Sequence, residues 1–182
     1  MPSPSRPQPF RGFIHIYTGN GKGKTTAALG LALRAAGRKM RSYIGQFLKG
    51  QSYGELVAAK ALAPLITIEQ FGRKGFVHVS QVVDEEDIRR AREGLAKCRR
   101  AMRSGRFRLV VLDEVAVAVH LRLLSEKDIL DLMAEKPEDV ELVLTGRFAP
   151  ASWVARADLV TEMTEVKHYY SRGVQARDGI EK

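Results

Sequence analysis

The run Thr18-Gly19-Asn20-Gly21-Lys22-Gly23-Lys24-Thr25-Thr26 constrains this chain more than any other feature. Before it, residues 12–18 (GFIHIYT) are rich in β-branched and aromatic side chains and predict a strand. After it, Lys24–Ala36 is rich in Ala and Leu and predicts a helix, with Gly37 placed to cap its C-terminal end. Glycines between a strand and a helix let the backbone curl tightly, so that successive N–H groups point inward at anionic oxygens. The N-terminal end of the helix adds positive potential at the same place. Lys24 can reach phosphate oxygens, Thr25 offers a hydroxyl to Mg²⁺, and Lys22 supplies a second cation. The general pattern G-x-x-x-x-G-K-[ST] calls for glycine at position 18, which is Thr18; the glycine comes one residue late, at Gly19. The cradle is therefore one residue tighter than usual.

Beyond the loop, strand-like runs fall at 41–47, 65–71, 107–112, 140–145 and 158–163, with helical patterns at 54–62, 84–103 and 125–135 between most of them. In the last helix Ser125 is placed to cap, with Asp128 three residues on. Alternation of this kind predicts an α/β fold with a mainly parallel sheet covered on both faces. The runs LVVL (109–112) and LVL (142–144) are apolar throughout, as central strands should be. A length of 182 residues with 45% apolar content fits one domain with a real core. Residues 1–11, carrying Pro2, Pro4, Pro7 and Pro9, predict a disordered or extended arm, which leaves 12–182 as the domain.

No window approaches the ~18 consecutive apolar residues of a membrane span, and the first residues hold no apolar signal region. A cytoplasmic protein without a membrane partner is expected. The single cysteine, Cys98, falls on the helical stripe Ile88, Ala91, Leu95, Cys98, Met102, and is expected to be a buried structural thiol. Net charge is +9, much of it between Arg89 and Arg108, where nine basic residues face one acid, Glu93. Most of them lie off the apolar stripe, as on a solvated helix face. No helix-turn-helix, zinc finger or RNA-binding signature accompanies them, so a nucleic-acid partner is not expected.

The run Leu109-Val110-Val111-Leu112-Asp113-Glu114 is a buried strand ending in two carboxylates. Beside the glycine loop they form a candidate metal site, one ligating and the other supporting, and they point in opposite directions if the strand continues. In open parallel sheets ligands gather outside the carboxyl ends of the strands. Distinctive residues fall there: Gln46-Phe47-Leu48-Lys49-Gly50 and Gly54-Glu55, then Phe71 to His78, Gly146-Arg147, and Val166-Lys167-His168. Motif chemistry alone reaches a P-loop protein that uses Mg²⁺ and a nucleoside triphosphate. No Asn-Lys-x-Asp guanine-reading element is present, which favours ATP over GTP.

These residues also carry a resemblance. From about Phe13 to Glu181 the chain resembles the ATP:corrinoid adenosyltransferases of cobalamin synthesis and salvage. The likeness rests on Tyr17 through the late-glycine loop to Ala28, and on Arg34-Ala35-Ala36-Gly37, Gln46-Phe47-Leu48-Lys49-Gly50 and Gly75-Phe76. It continues at Val111-Leu112-Asp113-Glu114, Leu144-Thr145-Gly146-Arg147, Ala157-Asp158-Leu159-Val160 and Val166-Lys167-His168. The resemblance implies a RecA-like P-loop fold and transfer of the 5′-deoxyadenosyl group of ATP to the cobalt(I) of a corrinoid, with triphosphate released. It implies nucleotide contacts from Gly19, Asn20, Gly21, Lys22, Gly23, Lys24, Thr25, Thr26, Arg34 and Arg147. It further implies Mg²⁺ (or Mn²⁺) at Thr25, Glu114 and Asp113, an electron-donating reductase such as a flavoprotein, and a homodimer. Catalytic roles fall to Lys22, Lys24, Phe76 and His78, the last two by displacing the lower axial ligand of cobalt.

Two departures stand out. The family pattern G-F-T-W is here Gly75-Phe76-Val77-His78, with His78 in the place of tryptophan. After Glu114, the stretch Val115-Ala116-Val117-Ala118-Val119-His120 replaces a more polar one. The rival readings are a P-loop ATPase or kinase forming ADP, and an ATP-dependent corrinoid-binding module without chemistry.

Overall fold

The computed structural model describes residues 10–73 and 84–182. Six strands, β1 (Ile14–Thr18), β2 (Ser42–Phe47), β3 (Ile66–Phe71), β4 (Leu109–Asp113), β5 (Glu141–Thr145) and β6 (Leu159–Glu162), form one sheet in the order β3-β2-β4-β5-β1-β6. Every neighbouring pair is parallel. Six α-helices connect them: α1 (Lys24–Ala36), α2 (Gly54–Ala61), α3 (Glu85–Arg103), α4 (Val115–His120), α5 (Glu126–Ala134) and α6 (Ala151–Val154). A 3₁₀ turn follows at Tyr169–Arg172. The expected strands and helices are all present, α1 with the expected bounds. Of the expected arm, residues 1–9 lie outside the described residues.

The sheet separates two apolar layers because successive strand residues face opposite sides. One layer joins Ile16, Tyr43, Phe47, Val110, Leu112, Leu142 and Leu144 to α3, α5 and α6 through Leu95, Cys98, Met102, Ile129, Leu132 and Trp153. The other joins Ile44, Leu109, Val111 and Val143 to Ala28, Ala32, Ala35 and Ala36 of α1 and Ala59 of α2. Cys98 is fully buried, and its burial raises the thiol pKa. The helix reaches the sheet so closely because Gly45 of β2 lies beneath it: a Cβ there would stand 2.4 Å from Cys98 Sγ.

Both local caps fall where the sequence places them. Gly37 ends α1 in helical conformation (φ −59°), donating its N–H to Leu33 O, and the left-handed turn comes at Lys39 (φ 60°). The capping box at α5 forms as expected: Asp128 N–H donates to Ser125 Oγ at 3.1 Å, and Ser125 N–H to Asp128 Oδ2 at 2.9 Å. The basic face of α3 is exposed and ion-paired, with Arg89 on Glu86 and Glu93, Arg90 on Glu86, Lys97 on Glu69 and Arg99 on Glu135.

Candidate active site

The glycine loop joins β1 to α1 at the carboxyl edge of the sheet. Gly19 (φ 92°) and Gly23 (φ 125°) occupy the left-handed region, which only glycine enters without strain. Gly19 and Gly21 also meet the backbone that leaves β6, where a Cβ on either would come within 2.4 and 2.7 Å of Met163 O. Gly21 N–H donates to that same oxygen at 2.7 Å. This amide therefore anchors the loop to the neighbouring chain and is not turned inward as the sequence suggested. Asn20 adds a second tie, its Oδ1 accepting Glu165 N–H at 3.2 Å. Lys24 is buried, and its ammonium donates to Gly19 O and Gly21 O, each at 2.7 Å. Burial lowers its pKa, and the charge of Arg147 pushes the same way against the carboxylate of Glu114.

The two acids behave differently from a continuing strand. β4 stops at Asp113, and Glu114 takes a left-handed conformation (φ 62°, ψ 20°) from which α4 begins. Asp113 is thereby left beneath the loop, 1% exposed and fully bonded. Its Oδ1 accepts Thr25 Oγ1–H at 2.9 Å and Thr145 Oγ1–H at 2.8 Å. Its Oδ2 accepts Gln46 Nε2–H at 3.2 Å and Lys49 Nζ–H at 3.0 Å. Thr145 Oγ1 in turn accepts Glu114 N–H at 2.9 Å, which ties the left-handed corner to β5. With its proton committed to Asp113, the Thr25 hydroxyl keeps its lone pairs for a cation. Glu114 opens onto the cleft; burial, then the charge of Asp113, raises its carboxyl pKa.

Lys49 was named in the sequence only as part of a run after the second strand. Leu48 (φ 62°) turns the chain so that Lys49 reaches back to Asp113 and, at 3.6 Å, to Glu55. Burial opposes its charge, but Asp113 and then Glu55 outweigh it and raise its pKa, keeping the ammonium protonated. Its carbonyl accepts Gly72 N–H at 2.8 Å, so the loops after β2 and β3 lock backbone to backbone. Arg73 then bonds Asp87 at 2.7 Å and Asp84 at 2.8 Å, joining the two flanks of residues 74–83. Phe76 and His78 belong to that segment and lie outside the described residues.

Together these groups line one cleft of about 680 Å³ at the carboxyl edge. Asn20, Gly21, Lys22, Gly23, Lys24, Thr25, Thr26, Glu114 and Arg147 all face it, as do Lys49 and His168. Gly19 and Asp113 stand directly behind, through Lys24 and Thr25. Arg34 does not join them: it is exposed, ten residues along α1 from Lys24, or roughly 15 Å at 1.5 Å per residue. Among the described residues no three His, Cys, Asp or Glu side chains group to hold a metal alone. Thr25 and Glu114 therefore suit a hard cation that takes its remaining ligands from water and phosphate oxygens, as Mg²⁺ commonly does.

The sequence profile of the ATP:corrinoid adenosyltransferase family, BtuR/CobO/CobP, matches residues 10–181. The corrinoid adenosyltransferase of Escherichia coli K12 is 34% identical over 175 residues, 96% of this chain and 87% of that protein. That of Pseudomonas aeruginosa is 34% identical over 94% of this chain and 84% of its own length. The chain belongs to this family. The enzyme accordingly uses ATP to adenosylate corrinoids. A KaiC-like protein of Pyrococcus horikoshii superposes with a TM-score of 0.55 at 17% identity, covering 84% of this chain and 73% of that one. That likeness bears on fold alone, and it is the RecA-like P-loop fold expected from the sequence.

Two parts of the enzyme's site were not legible beforehand. The bonds of Asp113 to Gln46, Lys49 and Thr145 join three strand ends far apart in sequence; the only signal was that all three residues follow or end buried strands. Contacts of Lys22 with Tyr169 and Glu181 span 147 and 159 positions, and no motif announces them.

Proposed function

We propose that the enzyme presents C5′ of the ATP ribose to the cobalt(I) of a corrinoid, cobalamin or a precursor, and binds the triphosphate as leaving group. The cobalt electron pair forms the cobalt–carbon bond while the C5′–O5′ bond breaks, and triphosphate departs with the electron pair of the broken bond. The observation that carries this reading is the convergence of Lys24, Lys49 and Arg147 on Thr25 and Glu114 in one cleft. A kinase needs charge focused on one phosphorus; a triphosphate leaving group needs it spread along the whole chain. Lys24 and Lys22 serve the loop side, and Lys49 and Arg147 the side of β2 and β5. Thr25 and Glu114, with Asp113 behind, hold Mg²⁺ or Mn²⁺, which supplies further charge neutralisation on the phosphates.

Phe76 and His78 take the lower face of the corrin in this reading. His78 packs there without ligating cobalt, so displacement of the lower axial ligand is weaker than with indole, or the substrate is a precursor lacking a lower base. Support comes from the flanks of their segment, which Lys49, Gly72 and Arg73 join to the nucleotide cleft. The working enzyme is further proposed to comprise residues 12–182 as one catalytic domain, acting in the cytoplasm as a homodimer supplied with electrons by a flavoprotein reductase.

The test is to incubate the protein with Mg-ATP and chemically reduced cobalamin. A light-sensitive adenosylated corrinoid and one equivalent of inorganic triphosphate are expected. ADP and phosphate would replace this reading with a kinase or ATPase, and tight corrinoid binding without a new cobalt–carbon bond would replace it with a carrier. For His78, a five-coordinate, nitrogen-ligated cobalt(II) signal that vanishes in His78→Ala would show the imidazole to be a ligand after all.

A further inference from the structure

The wall of the cleft facing the glycine loop is built from residues 179–182. Within it Glu181 gathers three donors. Lys22 Nζ bonds its carboxylate at 2.5 Å, the Tyr169 hydroxyl donates to the same oxygen, and Arg177 donates from its backbone N–H at 2.9 Å and its guanidinium at 3.2 Å. Lys22 is further held by the Tyr169 hydroxyl at 3.0 Å and Ile180 O at 3.3 Å. The Glu181 side chain is only 16% exposed, whereas Lys22 keeps 39%. Its donors, Arg177 and Lys22 first, hold the Glu181 carboxyl well below the usual carboxylate range.

This arrangement is asymmetric. When Lys22 leaves, Glu181 still has Arg177 and Tyr169 and stays where it is. When Lys22 stays, the phosphate loop lacks the second cation that its sequence provides. One lysine is thus shared between a fixed internal carboxylate and any polyphosphate in the cleft. We propose that Glu181 is a positioning residue that competes with triphosphate for Lys22, and so sets how tightly the leaving group is retained. The inference rests on the proposed release of triphosphate, whose departure must precede the next turnover. The clasp weakens the grip on a product that four surrounding cations would otherwise hold.

Calorimetric titration with inorganic triphosphate and Mg²⁺ tests this. Solvent-screened ion pairs of this type change affinity by roughly 1.4- to 5-fold. Glu181→Gln is therefore expected to tighten triphosphate by up to about 5-fold, and Glu181→Asp to return toward the parent value. In a Lys22→Ala background the same Glu181→Gln change is expected to have little effect, since no lysine remains to be released. Tyr169→Phe, which loosens the clasp without altering charge, reads the same sign if the glutamine variant fails to fold. Weaker binding in Glu181→Gln would overturn the proposal by showing that the clasp builds the site. Equal tightening with and without Lys22 would overturn it too, leaving only a general field. Variants that follow this pattern, together with a parent protein that forms no adenosylated corrinoid, would refute the proposed reaction and leave the clasp standing.

Discussion

Asp113 shows how one side chain joins structure to chemistry. It accepts four hydrogen bonds, two of them from residues that face the cleft, Thr25 and Lys49. In Asp113→Asn the amide keeps the shape but loses the charge that balances Lys49. Breaking a buried pair by removing one partner costs about 3–5 kcal/mol. Lys49 retains Glu55 at 3.6 Å, so the lower figure is the expectation, measured as a shift of the urea midpoint. Adenosylation is expected to fall by about 10²-fold, because the single amide oxygen cannot accept from Thr25 and Lys49 at once, so either the hydroxyl or the ammonium loses its fixed place at the phosphates. Tyr43 gives a second residue-scale prediction. Its buried hydroxyl donates to Glu69 at 3.0 Å, and burial, followed by neighbouring negative charge, raises its pKa. Below the unfolded value of about 10 it is neutral in both states. Above that, the unfolded chain releases its proton while the folded one holds it, so stability falls as pH rises toward the folded pKa. Urea midpoints at about pH 9 and 11 should therefore diverge less in Tyr43→Phe than in the parent. At this scale Lys24 and Thr25 were legible because strand, loop and helix supplied their context. Lys49 was not, because its role depends on which strand β2 lies beside.

Among the elements, what could be read and what could not divide on a physical line. The strands and the longer helices carry their own periodicity, and the sequence located them to within two residues at most ends. By contrast, α4 is the six residues VAVAVH, a single short turn and a half in which three β-branched valines lower helix propensity. It forms because Glu114 turns left-handed and Val115, Ala116 and Ala118 then drop into the core. Only tertiary packing decides that, so the departure from the family pattern was visible while its consequence was not. The capping box of α5 was legible, and its worth can be measured: Ser125→Ala should cost about 1 kcal/mol in chemical denaturation. The contact of α3 with β2 tests close packing. Gly45→Ala would place a methyl 2.4 Å from Cys98 Sγ and 3.1 Å from Phe71, and overpacking of this kind costs about 1–3 kcal/mol. Adding Cys98→Ala removes the nearer obstruction and should recover part of that loss. Strict additivity of the two changes would mean that α3 shifts as a body.

For the molecule as a whole, the strand order is what assembles the cleft. Because β4 lies between β2 and β5, and β1 beyond β5, the glycine loop, Lys49, Glu114 and Arg147 meet at one edge despite their separation along the chain. A triphosphate bridging them links four strand ends and should stabilise the fold by mass action. At 100 times its dissociation constant a ligand adds about 2.7 kcal/mol. For a domain of this size each kcal/mol moves Tm by about 2–4 °C, so Mg-ATP should raise Tm by about 5–10 °C. The side chains facing the cleft are mainly charged or polar, Glu55, Glu114, Glu165 and Glu181 standing among the lysines and Arg147, with Leu29 and Ile180 its large apolar members. Inorganic triphosphate is therefore expected to reproduce most of the shift and adenosine very little of it. Because the attraction is electrostatic, the shift should shrink as ionic strength rises, and Lys24→Ala should abolish it. A shift given by adenosine and not by triphosphate would place the binding energy on the base, and the convergence of Lys24, Lys49 and Arg147 would then need another explanation.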